Sequence, residues 1–377
     1  MLRKCSRPAR PYLFGALVSN VGSHTGRKIA LWILFVIVHA SGGLVIGQGD
    51  HRAPIKVIID ADPGIDDAIA ILTALQSPEL DVLGITTVFG NATLDAGTQN
   101  ALRIVELGGW NVPVARGAEN PLIIPAGDPP DFVHGSDGLG NTNMPPPKGK
   151  HIGQSAAEFI VETVRSDSGS VTIVSLGRLT NLALALELDP DLPKYVKEVI
   201  LMGGAATVAG NVTPVAEANI WGDPHAADIV FTAGWPVTMV GLDVTTQVRL
   251  SNDILLRIKQ RNPTIGTFIH DISQFYLAFY ESLGVSGGMF VHDPSAVAFA
   301  IDPTIFDVEP FAVRVAIEGI AIGQTIAASE LHSNRPGPWH DIPATGVALG
   351  VDAEGLLGLL EETLSRKREP EERAHQP

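Results

Sequence analysis

Lys56-Val-Ile-Ile-Asp60-Ala-Asp62-Pro-Gly-Ile-Asp66-Asp67-Ala-Ile-Ala-Ile-Leu-Thr-Ala-Leu75 is the stretch whose reading decides the fold. Its first five residues form a short apolar strand that ends in an acid. A Pro-Gly turn follows, and from Asp66 to Leu75 the pattern is helical. Further strand patterns lie at Leu80–Val88, Val171–Ser175, Glu198–Met202 and Pro236–Leu242, with a helix from about Leu94 to Leu107 and other helical stretches between. Strand alternating with helix predicts an α/β fold, a mainly parallel, Rossmann-like open sheet flanked by helices. In such sheets ligands bind beyond the carboxyl ends of the strands, and the acidic turn after Asp60 lies at such an end.

The chain has 377 residues, 45% of them hydrophobic and 18% charged, a composition that supports one large domain over residues 54–365. Residues 121–150 are rich in Pro and Gly and contain His134-Gly-Ser-Asp-Gly-Leu-Gly140, which reads as a long loop over the site. Residues 366–377 read as a disordered charged tail. At the other end, Arg27-Lys28 precede an apolar run, Ile29–Val38, and small residues from Ala40 to Gly43. Residues 1–47 therefore read as an export signal cleaved near Gly42 or Gly47, which would make the protein periplasmic or extracellular. Two other readings stay open: an uncleaved membrane anchor, which would be the one route to a membrane, or a later start of translation.

Residues 1–49 hold six basic residues and no acid, so the remainder carries 20 Lys and Arg against 41 Asp and Glu, a net charge of −21. Such a surface repels nucleic acid through its phosphates and tolerates a neutral small molecule better than a phosphorylated one. The single cysteine, Cys5, lies in the N-terminal segment, so the body has no disulfide and no thiol chemistry.

The turn puts four carboxylates, Asp60, Asp62, Asp66 and Asp67, within eight residues. Helix capping accounts for one or two of them. Four crowded acids repel each other and raise one another's pKa unless a cation sits among them. A hard cation with oxygen ligands, calcium or magnesium, resolves the conflict.

The Asp60–Asp67 stretch resembles the N-terminal signature of the inosine-uridine nucleoside hydrolase family. Four further segments match in order and at compatible spacing: Val88-Phe-Gly-Asn91, Gly177-Arg-Leu-Thr-Asn181, Gly210–Asn219 with Asp223-Pro224 behind it, and Val291-His-Asp-Pro294. The resemblance spans roughly residues 55–350. It implies calcium held by Asp62, Asp67, Asp293 and the backbone carbonyl of Thr180, with Asp66, Asn211, Glu217 and Asn219 binding the ribose hydroxyls and Asn91 supporting that end. It also implies hydrolysis of the N-glycosidic bond of ribonucleosides, uridine and inosine foremost, in a homodimer or homotetramer. A calcium-bound water deprotonated by Asp62 would attack the anomeric carbon directly, without a covalent intermediate.

His292, beside Asp293, matches the leaving-group acid of the inosine-uridine branch, and His134 matches a second histidine near the base. Tyr276 and Tyr280 are four apart on one helical stretch, Asp271–Tyr280, and either line the base or pack the core. In the family this helix is mobile and covers the substrate, with Gly284, Gly287 and Gly288 placed to serve as its hinge. At Ala218 many family members carry an aromatic residue; here the sequence is similar to the branch with plant-type uridine ribohydrolases, and the change removes an apolar wall near the ribose. Two rivals read the same residues otherwise. One is a magnesium phosphohydrolase with Asp60 as nucleophile; the other is an exported nucleoside-binding protein without catalysis.

Overall fold

Strand β1 (Ile55–Ala61) sits where the sheet is wound in both directions. Val57, Ile59 and Ala61 enter one apolar layer and Ile58 the other, and all four are fully buried. A strand covered on both faces needs an apolar run rather than an alternating one, which is what Val57-Ile-Ile59 supplies. The computed structural model describes residues 53–367.

The other strands are β2 (Leu80–Thr87), β3 (Val114–Arg116), β4 (Ile152–Ser155), β5 (Val171–Ser175), β6 (Glu198–Met202), β7 (Val237–Val240), β8 (Arg249–Leu250), β9 (Met289–Phe290), β10 (Phe306–Val315), β11 (Thr325–Ala328) and β12 (Ala344–Val351). Ten of them form one sheet in the order β11-β10-β12-β7-β6-β5-β1-β2-β3-β4, and β8 pairs with β9 apart from it. Neighbours from β12 through β4 are parallel, while β10 runs antiparallel to β11 and β12. The expected mainly parallel α/β sheet is present. After β1 the chain adds β2, β3 and β4 on one side, then returns to place β5, β6 and β7 on the other. This reversal opens a crevice at the carboxyl ends of β1 and β5.

The helix after the turn runs from Ile65 to Gln76 and is buried on almost every side. So is the helix Asp293–Ile301, which packs against it. A helix apolar all round belongs inside a large domain. Because both helices begin with acids, their packing brings Asp66, Asp67 and Asp293 together.

The helix carrying Tyr276 and Tyr280 extends from Pro263 to Ser282, longer at both ends than its sequence pattern. Within 121–150 the structure shows loop with one short helix, Asp131–His134. Its Gly138, at φ 75°, approaches Pro63 and Asn100, so this loop packs against the acidic turn. Residues 1–47, with the export or anchor segment, and 368–377 of the charged tail lie outside the described residues. The carbonyl of Arg366 accepts hydrogen bonds from Gln76 and Asn262 at 2.8 Å each. Among the described residues no helix is long and apolar enough to cross a membrane.

Truncating Ile59→Ala removes a fully buried side chain from the central strand. The expected cost is about 2–5 kcal/mol of unfolding free energy, read as a lower urea midpoint at unchanged m.

Candidate active site

The chain leaves β1 as Asp60-Ala-Asp62-Pro-Gly64, and each acid acquires a different task. Asp60 is fully buried and accepts from Thr86 (2.6 Å), Asn181 (2.7 Å) and Ser175 (3.4 Å). Burial still pushes its carboxyl up to about 6. Committed to joining β1 with β2 and β5, it has no access to a phosphoester, so the nucleophile reading of Asp60 fails. Asp67, in the first helical turn, accepts from the amides of Asp62 (3.1 Å) and Gly64 (2.9 Å) and from Asn91 Nδ2 (2.9 Å). A Cβ on Gly64 would lie 2.7 Å from His134 Nδ1 and 2.8 Å from Asn91 Cβ, so the turn needs glycine for close approach.

Asp62 Oδ2 accepts from the amide of Asn91 (2.9 Å) and pairs with the Arg178 guanidinium. Asp66 Oδ2 accepts from the Tyr276 hydroxyl at 3.2 Å. One ligand oxygen each from Asp66, Asp67 and Asp293 lies within 4.8 Å of the others. Burial pushes Asp66 up to about 7 and Asp62 and Asp293 well above the usual carboxylate range, and the neighbouring acids add to this.

Asp62 Oδ1, Asp66 Oδ1 and Asp293 Oδ2 are buried without a hydrogen-bond partner among the described residues. Orphaned carboxylate oxygens of this kind are costly. An all-oxygen donor set short of positive charge fits a hard divalent cation. Of the expected metal ligands, Asp67 and Asp293 belong to the tight group, and Asp66, assigned by resemblance to the ribose, joins them. Asp62 stands beside the group, tied to it through its amide on Asp67. Thr180 opens the helix Thr180–Leu188, and its hydroxyl donates to Asp223 at 2.8 Å.

His292 precedes the helix that Asp293 begins. Its Nδ1 meets the Thr245 hydroxyl at 2.8 Å and its Nε2 the Tyr280 hydroxyl at 2.9 Å. Tyr280 donates to Tyr276 at 3.2 Å, and Tyr276 reaches Asp66. The two tyrosines thus pack in the core and also carry a hydrogen-bond line from His292 to the acids. His134 Nδ1 accepts from the amide of Ile65 at 3.2 Å, and its ring lies 5.4 Å from that of Tyr276. Burial holds the imidazolium of His134 down to about 3 and that of His292 to about 4, so both rings are neutral at pH 7.

At the expected ribose end, Glu217 accepts from the amides of Gly204, Asn219 and Ile220 and so caps a short helix, Ala218–Gly222. Asn219 Nδ2 donates to the carbonyls of Leu176 (2.7 Å) and Met202 (3.1 Å), and Asn211 accepts from the amide of Ala218 at 3.0 Å. Glu217 and Asn219 are buried, whereas Asn211 is exposed. A cavity of about 530 Å³ opens beside the Asp62–Arg178 pair, with Phe89, Leu94, Ile124 and Trp221 among its walls.

Sequence reasoning gave no role to Arg178 or Thr245. Arg178 lies inside the quoted Gly177–Asn181 motif, where a cation in an apolar strand-to-helix turn is itself a signal. Thr245 has no such local mark.

A model of the family described as inosine-uridine preferring nucleoside hydrolase matches residues 57–358. The chain belongs to that family. Uridine nucleosidase 1 of Arabidopsis thaliana is 43% identical over 323 residues, covering 85% of this chain and 95% of that protein. The inosine-uridine preferring nucleoside hydrolase of Crithidia fasciculata is 40% identical, covering 84% of this chain and 100% of the relative. A solved plant nucleoside hydrolase superposes with a TM-score of 0.79 at 41% identity, covering 83% of this chain and 100% of the other. This nucleoside hydrolase is therefore an N-glycosyl hydrolase of ribonucleosides, from a family that depends on metal.

Without a divalent cation, the raised carboxylates keep protons that the unfolded chain has lost, between the ordinary value of 3.8 and about 7 for Asp66. The folded state binds more protons there, so the melting temperature in chelator falls as pH rises through that window. A cation at a hundredfold excess over its Kd restores about 2.7 kcal/mol, and calorimetric titration shows its affinity weakening below pH 7, where protons compete. Gly64→Ala, by displacing His134 and Asn91, lowers kcat/KM by about tenfold or more while circular dichroism stays native.

Proposed function

We propose that this nucleoside hydrolase cleaves uridine and inosine to ribose and free base, with calcium as its ion, Asp62 as general base and His292 as the donor to the leaving base. One observation carries the reading: a continuous line of hydrogen bonds ties His292 to Asp66, within the same acidic group that fits the cation. The proton donor and the metal site are built as one unit.

A bound divalent cation would supply charge to hold the ribose diol and to acidify water; Asp66, Asp67 and Asp293 would hold it, with Asp62 alongside. Asp62 keeps Oδ1 unpartnered while Asn91 and Arg178 fix Oδ2, so one oxygen is oriented to take a proton from water. Burial raises its basicity, as a general base requires. The carboxylates and amide oxygens around the ribose stabilise the positive charge that builds there as the glycosidic bond breaks. Neutral His292 presents an N–H to the departing base, and this hydrogen bond stabilises the negative charge that grows there; the proton the base finally takes up balances the one that the attacking water gives to Asp62.

Uridine is supported by the plant uridine nucleosidases among the relatives. Inosine is supported by the Crithidia enzyme and by a purine-preferring ribonucleoside hydrolase from Gardnerella vaginalis, 37% identical with a TM-score of 0.77. The net charge of −21 outside residues 1–49 favours nucleosides over nucleotides. Arg27-Lys28 and the apolar run Ile29–Val38 support export, and the family resemblance supports a homodimer or homotetramer.

Chromatography of uridine and inosine digests tests the proposal. Free base and ribose form, chelation stops them, and Asp62→Ala lowers kcat by about 100-fold or more. No product from calcium-loaded, folded protein with either nucleoside would refute the substrate assignment.

A further inference from the structure

We infer that Arg178 is a resident counter-cation for Asp62, which steadies the metal-free enzyme and weakens its hold on a divalent cation. The inference rests on the reading of the acids as a divalent-cation site, and it adds what sets the affinity of that site.

Arg178 enters the site from the turn between β5 and the helix Thr180–Leu188. Its surroundings are shaped to admit it. A Cβ on Gly222 would lie 2.7 Å from Arg178 Nε and 2.8 Å from its Cγ, and a Cβ on Gly90 would overlap the guanidinium. Two glycines on separate segments thus clear the volume that this one side chain fills. The guanidinium carbon lies 5.9 Å from the centre of the Phe89 ring, within reach of a cation–π contact. Arg178 is 8% exposed, and its Nε has no hydrogen-bond partner among the described residues.

A buried arginine keeps its charge, because a guanidinium does not release its proton in proteins. Burying that charge is costly unless an anion compensates it, and among the described residues the acid in contact with it is Asp62. The neighbouring acids are served differently. Asp67 accepts from backbone amides and from Asn91, and Asp66 accepts from Tyr276, all of them neutral donors. One full positive charge is therefore built in at the edge of the acidic group, fixed to a single member of it.

That charge acts in two opposite senses. In the metal-free protein it offsets one of the crowded carboxylates, and its loss would leave Asp62 buried without an ionic partner. For a cation entering among Asp66, Asp67 and Asp293 it is a like charge on the adjoining carboxylate, where it already occupies Oδ2. At the effective dielectric of a protein site, a unit charge even about 10 Å from a divalent ion shifts its affinity by tenfold or more. The two effects close one thermodynamic cycle. Whatever Arg178 adds to the metal-free fold beyond what it adds to the loaded one is subtracted from cation binding. A side chain that only held the Asp62 carboxylate in place would act in the reverse sense, since its loss would let Asp62 turn and loosen the cation.

Calorimetric titration of calcium into the chelator-stripped full chain reads the affinity, and thermal melts in chelator and in saturating calcium read the two stabilities. Arg178→Gln and Arg178→Met remove the charge and keep much of the length, whereas Arg178→Lys keeps the charge. Both neutral variants should bind calcium about tenfold or more tightly than the wild type, and Arg178→Lys within about threefold of it. The neutral variants should also melt well below the wild type in chelator and close to it in saturating calcium. A neutral variant that folds only with calcium supports the inference in its extreme form. One that is unfolded in both conditions overturns it, because the loaded enzyme would then need the side chain as much as the metal-free one. Equal or weaker calcium binding by the neutral variants overturns it too, as does an equal loss of melting temperature in chelator and in calcium. A wild-type enzyme that takes up none of calcium, magnesium and manganese fails at an earlier step, removing the cation site and the inference with it.

Discussion

Asp66, Asp67 and Asp293 are held together by two helices that have no other reason to be polar. Ile65–Gln76 and Asp293–Ile301 are apolar on nearly every face and pack side by side under the sheet's carboxyl edge. Their shared burial forces the carboxylates at their starts into one small volume. Two unit charges 4 Å apart repel by about 1 kcal/mol in water and about 4 kcal/mol at the effective dielectric of a protein site. Helix N-termini and backbone amides offset part of this, as they do at Asp67. They leave one oxygen each of Asp62, Asp66 and Asp293 without a partner. The fold thus holds a site that is unfavourable by itself and becomes favourable when a cation enters, so stability and function share one set of atoms.

Around this cluster the remaining polar groups are rigidly assigned. Glu217 spends its carboxylate on three backbone amides, and Asn219 bridges the carbonyls that end β5 and β6. In the proposed reading a ribose would meet groups whose rotamers are already fixed, which lowers the entropy cost of placing its hydroxyls. Ala218 lies between them as the smallest side chain in the segment, and its amide is held by Asn211.

What the sequence disclosed and what it hid follow from the range of the forces involved. The strand Lys56–Asp60 and the helix from Asp66 were legible because burial on both faces of a strand and all round a helix leaves an unbroken apolar record. The antiparallel edge was not, since β10 interrupts its own pattern with Asp307, Glu309 and Pro310 along a mostly exposed half. The acids of the turn declared a cation site by crowding alone. How they divide the work did not show, because Asp62 is pulled aside by Arg178, 116 residues away. Thr245 and His292 are 47 residues apart, and neither residue type carries a sign that it will meet the other.

The two histidines show how burial and charge compete in such a site. Four ionisable carboxylates nearby would be expected to hold an imidazolium in place, yet burial wins and leaves His134 and His292 neutral. Among the described residues, Arg178 is the permanent cation in direct contact with the acids, and it sits at Asp62, apart from the tyrosines that adjoin His292. The site is therefore electrically divided. In the proposed reading the carboxylates face the sugar, which acquires positive charge, and the neutral rings face the base, which acquires negative charge. Heterolysis of a bond between carbon and nitrogen separates charge in that sense, and a preorganised field of the same sense stabilises the separation without reorganising at the moment of reaction. A protonated histidine beside the acids would have collapsed onto them as an ion pair. Kept neutral, His292 shares hydrogen bonds with the hydroxyls of Thr245 and Tyr280 instead of an ion pair with the acids.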